Sequence, residues 1–281
     1  MTRRAFAIGG LLGSIGALTL SGAQAYEARY VNPYRPTLER VSIALPPEHA
    51  GLAGLRIGFV ADTHVGPFIS PDDVARATAM ITQERPNLIL LAGDYVSESP
   101  RYVGMTAEAL AELTRESSLG AIAVLGNHDL HVSPSRIQSA LEAVGIVVLR
   151  NEATLVTFRG EALWITGIDD TLLGRPDPTG TFAQVPRRAP AIALWHEPQF
   201  ADATAALGAL AQLSGHTHGG QIRLPGIGPV GLPQHGKRHV IGLSRARGMP
   251  VYTTRGVGVY RPPLRFNCPP EVTLITLVAP E

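Results

Sequence analysis

The chain has 281 residues, of which 45% are hydrophobic and 17% are charged, and its formal net charge at pH 7 is +1. A chain of this size and composition can bury a complete hydrophobic core, and its charge gives no reason to expect nucleic acid as a partner. The single cysteine, Cys268, excludes an internal disulfide and a zinc site made of four thiolates from this chain.

The first 25 residues carry the pattern of an export signal. Arg3 and Arg4 are followed by 22 residues without charge, and the sequence AQA at 23–25 offers a small-x-small cleavage site. Residues 1–25 are therefore predicted to be a twin-arginine-type signal peptide, or an N-terminal membrane anchor if they are not cleaved, because the uncharged stretch is just long enough to span a bilayer. We expect the twin-arginine export machinery to bind and export the chain, and we expect the protein to be active in the periplasm or another extracytoplasmic compartment. The alternative is a cytoplasmic protein with a hydrophobic N-terminus.

Residues 26–281 show no internal repeat and no low-complexity linker, which predicts a single domain. Ser70 and Ser133 each precede a proline and an apolar stripe at helical spacing, the pattern of a capped helix start. Three continuous apolar runs are typical of strands buried on both faces. They are residues 55–62 (LRIGFVAD), 87–94 (NLILLAGD) and 120–129 (GAIAVLGNHD). Alternating strands and helices predict an α/β protein with a mostly parallel sheet.

Polar clusters follow the apolar runs at the points where the strands end. The first three runs end in DTH (62–64), GD (93–94) and GNHD (126–129), and two later runs, 190–198 and 210–218, deliver His196 and the pair His216 and His218. The carboxyl ends of the strands form the ligand crevice of an open α/β sheet, so these five loops are expected to converge on one site.

The side chains in these loops are carboxylates, imidazoles and a carboxamide, with no thiolate. That set suits a hard or borderline divalent cation such as Mn, Fe or Zn. The candidate ligands are too many for one ion but enough for two if one carboxylate bridges them; they are Asp62, His64, Asp94, Asn127, His196, His216 and His218. A pair of cations about 3.5 to 4 Å apart activates water and clamps phosphoryl oxygens during in-line displacement.

The order D-x-H, GD, GNHD, a lone histidine after a strand and GHTH resembles the calcineurin-like metallophosphoesterase superfamily over nearly the whole chain after the signal. The stretches LWHEPQFAD, SGHTHGGQ and RFNCPPEVTLITL are similar to its bacterial branch of exported or membrane-associated phosphodiesterases. The resemblance implies an α/β fold with mixed, mostly parallel β-sheets packed as a central sandwich with flanking helices. It also implies a metal-dependent hydrolase acting on phosphoric ester bonds.

The same resemblance implies a role for each ligand. One metal is expected on Asp62, His64 and His218, the other on Asn127, His196 and His216, with Asp94 bridging the two. A metal-bridging hydroxide would attack phosphorus, and His128 would protonate the leaving alkoxide as general acid, the alternative for His128 being a supporting role. Asp129 is expected either to orient an imidazole or to satisfy the loop backbone. Gln221 has either a supporting role beside the ligands or a plain structural one.

His216 and His218 pose a geometric problem, because residues two apart on a flat strand face the same way. The implied assignment needs them on different metals, so the loop must be distorted. Gly215, Gly219 and Gly220 are expected to make this possible, since glycine permits backbone angles and close approaches that other residues resist.

The substrate is where the sequence is least informative. Residues 203–270 contain no carboxylate but eight lysines and arginines, which suits an anionic phosphoester substrate or an anionic membrane surface, the alternative being a solvated basic face. The stretch 223–239 (RLPGIGPVGLPQHGKRH) is either an ordinary surface loop or a rim that meets a lipid or cell-envelope phosphodiester, with peripheral membrane contact. Three functions stay open: an exported phosphodiesterase, a phosphomonoesterase, and a non-catalytic metal-binding scaffold.

Overall fold

A computed structural model describes residues 22–280. The predicted signal segment lies outside these residues except for its last four, which open the first helix. The strands are β1 Thr37–Ala44, β2 Arg56–Val60, β3 Leu88–Leu91, β4 Ala121–Ala123, β5 Ile146–Val148, β6 Glu152–Phe158, β7 Glu161–Ile168, β8 Ala191–Trp195, β9 Ala211–Ser214, β10 Arg223–Leu224, β11 Gly228–Pro229, β12 Gly242–Ala246, β13 Met249–Thr253 and β14 Glu271–Val278. The α-helices are α1 Gly22–Tyr30, α2 Pro71–Thr82, α3 Val103–Arg115, α4 Asn127–Val132, α5 Pro134–Ala143, α6 Pro178–Ala183 and α7 Ala201–Ala206. Short 3₁₀ helices cover Asn32–Tyr34, Pro47–Leu52, Pro100–Tyr102, Pro198–Phe200 and His218–Gly220.

Two six-stranded sheets carry the fold. Their strand orders are β1-β14-β2-β3-β4-β5 and β12-β13-β9-β8-β7-β6, and β10 and β11 form a separate two-stranded hairpin. Within the two sheets, neighbouring strands are parallel except where β2 meets β14, β6 meets β7 and β12 meets β13. The predicted mostly parallel arrangement is therefore confirmed, with antiparallel strands added toward the sheet edges.

The two sheets pack face to face and enclose the largest apolar side chains of their strands. Ile57, Phe59 and Leu90 from the first sheet lie in one buried cluster with Ile165 and Leu194 from the second. These strands are apolar on both faces, as the continuous runs predicted, because their opposite faces are covered by helices. The implied central sandwich with flanking helices is confirmed.

The helices cover the outer faces of the sandwich. Val74 and Ile81 of α2, Leu110 of α3 and Leu141 of α5 pack on the first sheet, and Phe182 of α6 packs on the second. Burying one apolar stripe of each helix in this way is what fixes the helices on the sheets.

The two predicted helix starts differ in how they are capped. Ser70 forms a full capping box with Asp73, as the sequence indicated. Ser133 precedes α5 at the predicted position, but its side chain makes no capping bond. Ser133 is at the same time the C-cap residue of α4, where its N–H donates to the Asp129 carbonyl at 3.1 Å, and its backbone angles of φ −177° and ψ 86° differ from those of Ser70, φ −86° and ψ 161°.

The GNHD loop also differs from expectation, because its last three residues begin the short helix α4 instead of extending as a loop. The five strand-to-loop junctions nevertheless converge as predicted. The Nδ1 atom of His196, after β8 of the second sheet, lies 2.5 Å from the carbonyl oxygen of Ala92, after β3 of the first. The carboxyl ends of strands from both sheets therefore meet at one place.

Candidate metal centre

One group of ligand atoms joins the loops after β2 and β9. The ligand atoms of Asp62, His64 and His218 all lie within 4.8 Å of one another. His218 Nε2 is 3.0 Å from His64 Nε2 and 3.5 Å from Asp62 Oδ1. All three residues are buried, so a cation placed among them would be held by two imidazoles and one carboxylate away from bulk water.

A second group lies beside the first and joins the loops after β3, β4, β8 and β9. Asp94, His196 and His216 also bring their ligand atoms within 4.8 Å of one another. His196 Nε2 is 3.2 Å from Asp94 Oδ2, and His216 Nδ1 is 3.1 Å from Asn127 Oδ1. His216 and His218 thus lie in different groups, although only one residue separates them.

The Asp94 carboxylate lies between the imidazoles of the two groups. Its Oδ2 atom is 3.2 Å from His196 and 3.6 Å from His64, the nearest imidazoles of the second and first group. Its Oδ1 atom accepts a hydrogen bond of 2.8 Å from the backbone N–H of His128. One carboxylate in this position can neutralise charge on both sides, which is the property a bridging ligand requires.

Three of the histidines are oriented by hydrogen bonds on their outer nitrogens. His64 Nδ1 pairs with Ser97 Oγ at 2.7 Å, His196 Nδ1 with the Ala92 carbonyl at 2.5 Å, and His216 Nε2 with the Gln234 carbonyl at 2.6 Å. The inner nitrogens of His64 and His196 are directed at the Asp94 carboxylate, and that of His216 is directed at the Asn127 carboxamide oxygen. His196 Nε2 is buried and not aligned for a hydrogen bond with any described residue. Metal-ligating histidines are held in this way, so the donor set fits a divalent cation.

The backbone at the ligands takes unusual angles. Asp62, His64, Asp94, His216 and His218 have φ values of 52°, 47°, 57°, 68° and 51°, in the left-handed region that non-glycine residues rarely adopt. Such conformations cost about 1–3 kcal/mol each and persist where the surrounding structure enforces them, which happens most often at functional sites. The two histidines of the GHTH motif are therefore turned apart by their own backbone angles.

The glycines near the motif permit the close approaches that were expected, but they do not themselves turn the two histidines apart. Gly215 precedes the turn, and a Cβ at this position would lie 2.4 Å from Asp62 Oδ2. Gly126 is similar, since its Cβ would lie 2.3 Å from Asp94 Oδ1. Gly219 and Gly220 do have positive φ, but they follow His218 instead of separating the histidines. Close approach to the carboxylates, more than backbone freedom, is what glycine supplies here.

Burial sets the protonation of the centre. It lowers the pKa of His64 to about 3 and the pKa of His216 to about 4, so both rings are neutral at physiological pH and keep a lone pair for a cation. Burial also raises the pKa of Asp62 to about 7. Burial opposes charge on Asp94 and His196 too, but their mutual attraction holds the pKa of Asp94 well below its usual range and the pKa of His196 well above it.

His128 lies at the edge of the centre and lines a cavity that opens beside the ligands. Its ring is half-buried and contacts His64 and Tyr260, with ring centroids 4.8 and 4.3 Å apart. Tyr260 was not found by sequence reasoning, because GVGVYRPP carries no recognisable motif. It reaches the site only through the folded path of the loop after β13.

Gln221 holds that loop in place. Its side-chain carbonyl accepts a hydrogen bond of 2.8 Å from the Tyr260 N–H, and its amide group donates to the carbonyls of Tyr260 and Pro262 at 3.2 and 3.0 Å. All three bonds are made to main-chain groups, so Gln221 has the structural role of the two left open, and the loop it holds carries the tyrosine that contacts His128.

Asp129 satisfies the loop backbone and does not orient an imidazole. Its carboxylate accepts hydrogen bonds from the N–H groups of Gly126, Asp94, Tyr95 and Val96 at 3.0, 2.7, 2.8 and 3.3 Å. The side chain is fully buried. A single carboxylate therefore ties the turn after β3 to the turn after β4, which carry Asp94 and Asn127.

The basic stretch of the sequence is not a continuous basic face. Arg238 pairs with Asp202 at 2.7 Å, Arg261 with Glu98 at 2.9 Å, and Arg255 with Glu39 and Glu271. Arg265 is completely buried and donates to the carbonyls of Cys268, Arg255, Gly256 and Gly258. Three of the eight basic side chains in residues 203–270 are therefore neutralised by acidic residues that lie outside this stretch of the sequence.

The calcineurin-like phosphoesterase family matches residues 55–220, a segment that contains every candidate ligand. The chain belongs to this family. It is 35% identical to the uncharacterized metallophosphoesterase YkuE of Bacillus subtilis, over 99% of this chain and 98% of YkuE. It is 34% identical to the phosphodiesterase YaeI of Escherichia coli, over 80% of this chain and 83% of YaeI.

A solved structure also resembles the fold. The calcineurin-like phosphoesterase YfkN from Bacillus subtilis matches at a TM-score of 0.49 and 13% identity, over 80% of this chain and 91% of that one. Family membership together with the two ligand groups identifies the protein as a phosphoester hydrolase that binds divalent metal. The assignment of each ligand to a particular ion stays a prediction. Within residues 22–280, no helix combines the length and hydrophobicity needed to cross a membrane.

Proposed function

We propose that this calcineurin-like phosphoesterase is a phosphodiesterase with a dinuclear metal centre. The observation that carries the proposal is the position of the Asp94 carboxylate between two adjoining sets of side chains, one of Asp62, His64 and His218 and the other of His196 and His216 with Asn127. Seven ligand side chains are more than one ion uses. The similarity to YaeI, which is named a phosphodiesterase, supports a diester substrate.

Two divalent cations bound there would activate water and offset the charge of the phosphoryl oxygens. The residues of the chain then have distinct tasks. Asp94 neutralises both sides of the centre, and the buried neutral rings of His64 and His216 supply lone pairs. His128 lines the substrate cavity beside the ligands, where a protonated ring can donate its proton to the departing alkoxide. Tyr260 packs on the His128 ring and restrains its orientation.

A phosphodiester assay tests the proposal. Wild type is expected to hydrolyse bis(p-nitrophenyl) phosphate in preference to p-nitrophenyl phosphate, and to lose the activity with a chelator and regain it with Mn. Asp94→Asn is expected to lose at least about a hundredfold in kcat and to bind less than two ions per chain. A preference for the monoester would contradict the diester assignment, and a saturated content of one metal per chain would contradict the dinuclear centre.

A test of His128 as the general acid requires substrates whose leaving groups differ in basicity. His128→Ala is expected to lose about 10²- to 10⁴-fold in rate with an alkyl leaving group, and much less with p-nitrophenolate, which departs without a proton. His49→Ala is the matched control, because this histidine lies against a different cavity beside β1 and β12. Equal losses with both leaving groups would show that His128 is not the general acid.

We also propose that the enzyme works outside the cytoplasm, on an anionic lipid or cell-envelope phosphodiester. The support is the paired Arg3 and Arg4 before an uncharged stretch. Replacing both arginines with lysine is expected to leave the protein in the cytoplasmic fraction, whereas wild type is recovered from the periplasm or the membrane. Unchanged fractionation of the double variant would overturn the twin-arginine route.

A further inference from the structure

The cavity beside the metal centre has a lining of two chemical kinds. It includes several ligands and His128, and it also includes a group of aliphatic and proline side chains, here called the wall. The wall consists of Ile222, Val230, Leu232, Pro233 and Pro262. The cavity encloses about 450 Å³, within the range of sites that hold small organic ligands.

The wall is part of the ordered fold. Most of it belongs to the segment that contains the β10 and β11 hairpin, and Val230 donates its N–H to the Ile222 carbonyl at 2.9 Å. Ile222 forms a β-bridge with Phe266, and Arg223 donates its N–H to the Phe266 carbonyl at 2.9 Å. These bonds hold the apolar side chains in a defined position relative to the ligands.

Apolar surface also continues from the cavity to the outside of the molecule. Val230 is 60% exposed, and Ile227 at the tip of the hairpin is 75% exposed. An apolar side chain that both lines a cavity and is exposed to solvent, as Val230 does, is typical of a binding surface.

The arginine that lines the cavity, Arg261, is already engaged. The guanidinium of Arg261 pairs with Glu98 at 2.9 Å and lies 5.4 Å from the centre of the Phe68 ring. The wall therefore offers little to a sugar or a base edge, which need hydrogen-bond partners when they are buried. An aliphatic chain needs none and gains free energy from leaving water.

We propose that this cavity is a subsite for an aliphatic chain attached to the scissile phosphate, so that the substrate class is a phosphodiester carrying an alkyl or acyl chain. The inference rests on the proposed phosphodiesterase activity and specifies its substrate. The phosphate would lie on the ligand side, and the chain would extend along Ile222 and Leu232 toward Val230.

The test uses p-nitrophenyl phosphodiesters whose second group is methyl, butyl or octyl, each below its micelle concentration. Wild type is expected to show kcat/KM rising at least tenfold from methyl to octyl, with an upper limit of about fourfold for each methylene that enters the cavity. Inactivity on all three esters would overturn the proposed function, whereas equal activity on all three would overturn only the subsite.

Substitutions in the wall test whether the preference for the octyl ester arises there. Val230→Ser replaces an exposed apolar side chain and is expected to fold normally and to lose most of the octyl preference, measured as the ratio of kcat/KM for the octyl and methyl esters. Ile222→Ser is expected to do the same more strongly. Leu243→Ser, at an exposed position of β12 away from the cavity, is the matched control and keeps the preference. An octyl preference unchanged in both cavity variants, or a higher kcat/KM for thymidine 5′-p-nitrophenyl phosphate than for the octyl ester, would overturn the proposal.

Discussion

Several residues that hold the centre together are not ligands. Asp129 and Arg265 are both fully buried, and each bonds to backbone groups from segments that are distant in sequence. A buried charge that satisfies several backbone groups is costly to remove, because those groups are then left without partners in a place that water does not reach.

Asp129→Ala is expected to lower the free energy of unfolding by about 3 kcal/mol or more, since four backbone N–H groups lose their acceptor. Chemical denaturation measures the change. Asp72→Ala, an exposed aspartate in the first turn of α2, is the control and is expected to change stability by less than about 1 kcal/mol. Equal effects of the two substitutions would contradict the anchoring role of Asp129.

Arg265→Met is expected to leave four backbone carbonyls without their donor and to lower Tm by about 6–12 °C. The segment it holds includes Gly256 and Gly258, which contact Asp62, so metal affinity is expected to fall as well. Calorimetry and metal titration measure the two effects. Arg247→Met, at an exposed position, is the control, and a Tm equal to that of the control would refute this account.

At the scale of elements, the ligands of the metal centre all lie at junctions between a strand and the loop that follows it. The apolar strand fixes where the loop begins, and a left-handed residue then turns the ligand out of the strand direction, as at Asp62 after β2 and Asp94 after β3. Packing between junctions is so close that small residues are required at the contacts, as at Gly126 beside Asp94.

Gly126→Ala is expected to displace Asp94, because the added Cβ would lie 2.3 Å from its Oδ1 atom. We expect a loss of at least about tenfold in activity and a reduced metal content, while circular dichroism shows the fold retained. Gly104→Ala in α3 is the matched control, since its Cβ would meet nothing within 4 Å, and it is expected to be neutral or slightly stabilising. Full metal content in Gly126→Ala would contradict the close-packing argument.

At the scale of the whole molecule, the metal centre lies where the two sheets meet and takes ligands from both. Asp62, Asp94 and Asn127 follow strands of the first sheet, and His196 and His216 follow strands of the second. A metal bound by both sets of ligands links the two halves of the sandwich, so metal binding and global stability should be coupled.

Removal of metal by a chelator is therefore expected to lower Tm, and restoring Mn at a hundred times its dissociation constant is expected to return about 2.7 kcal/mol of stability. Differential scanning calorimetry checks this. Asp94→Asn, which loses the carboxylate between the ligand groups, is expected to show a much smaller shift with metal. An unchanged Tm after complete removal of metal from wild type would show that the centre does not link the sheets.

Much of the fold and of the centre was predictable from the sequence, because both depend on patterns local to each segment. Continuous apolar runs indicated buried strands such as β2 and β3, and Ser70 indicated the start of α2. Less predictable were local features set by neighbours, such as the helical start of α4 at Asn127 and the engaged N–H of Ser133. Those depend on where one element ends and the next begins.

By itself, the sequence determined the family, the strand-to-loop junctions and their expected convergence, since the carboxyl ends of parallel strands must share an edge. Only the tertiary structure decided what surrounds the ligands. Gln221 positions Tyr260 across 39 residues, Asp129 ties down the turn at Asp94 across 35, and the hairpin wall at Ile222 closes the cavity. The physical reason is that these contacts join segments whose separation in the chain leaves no pattern, and whose approach is set by the packing of two sheets.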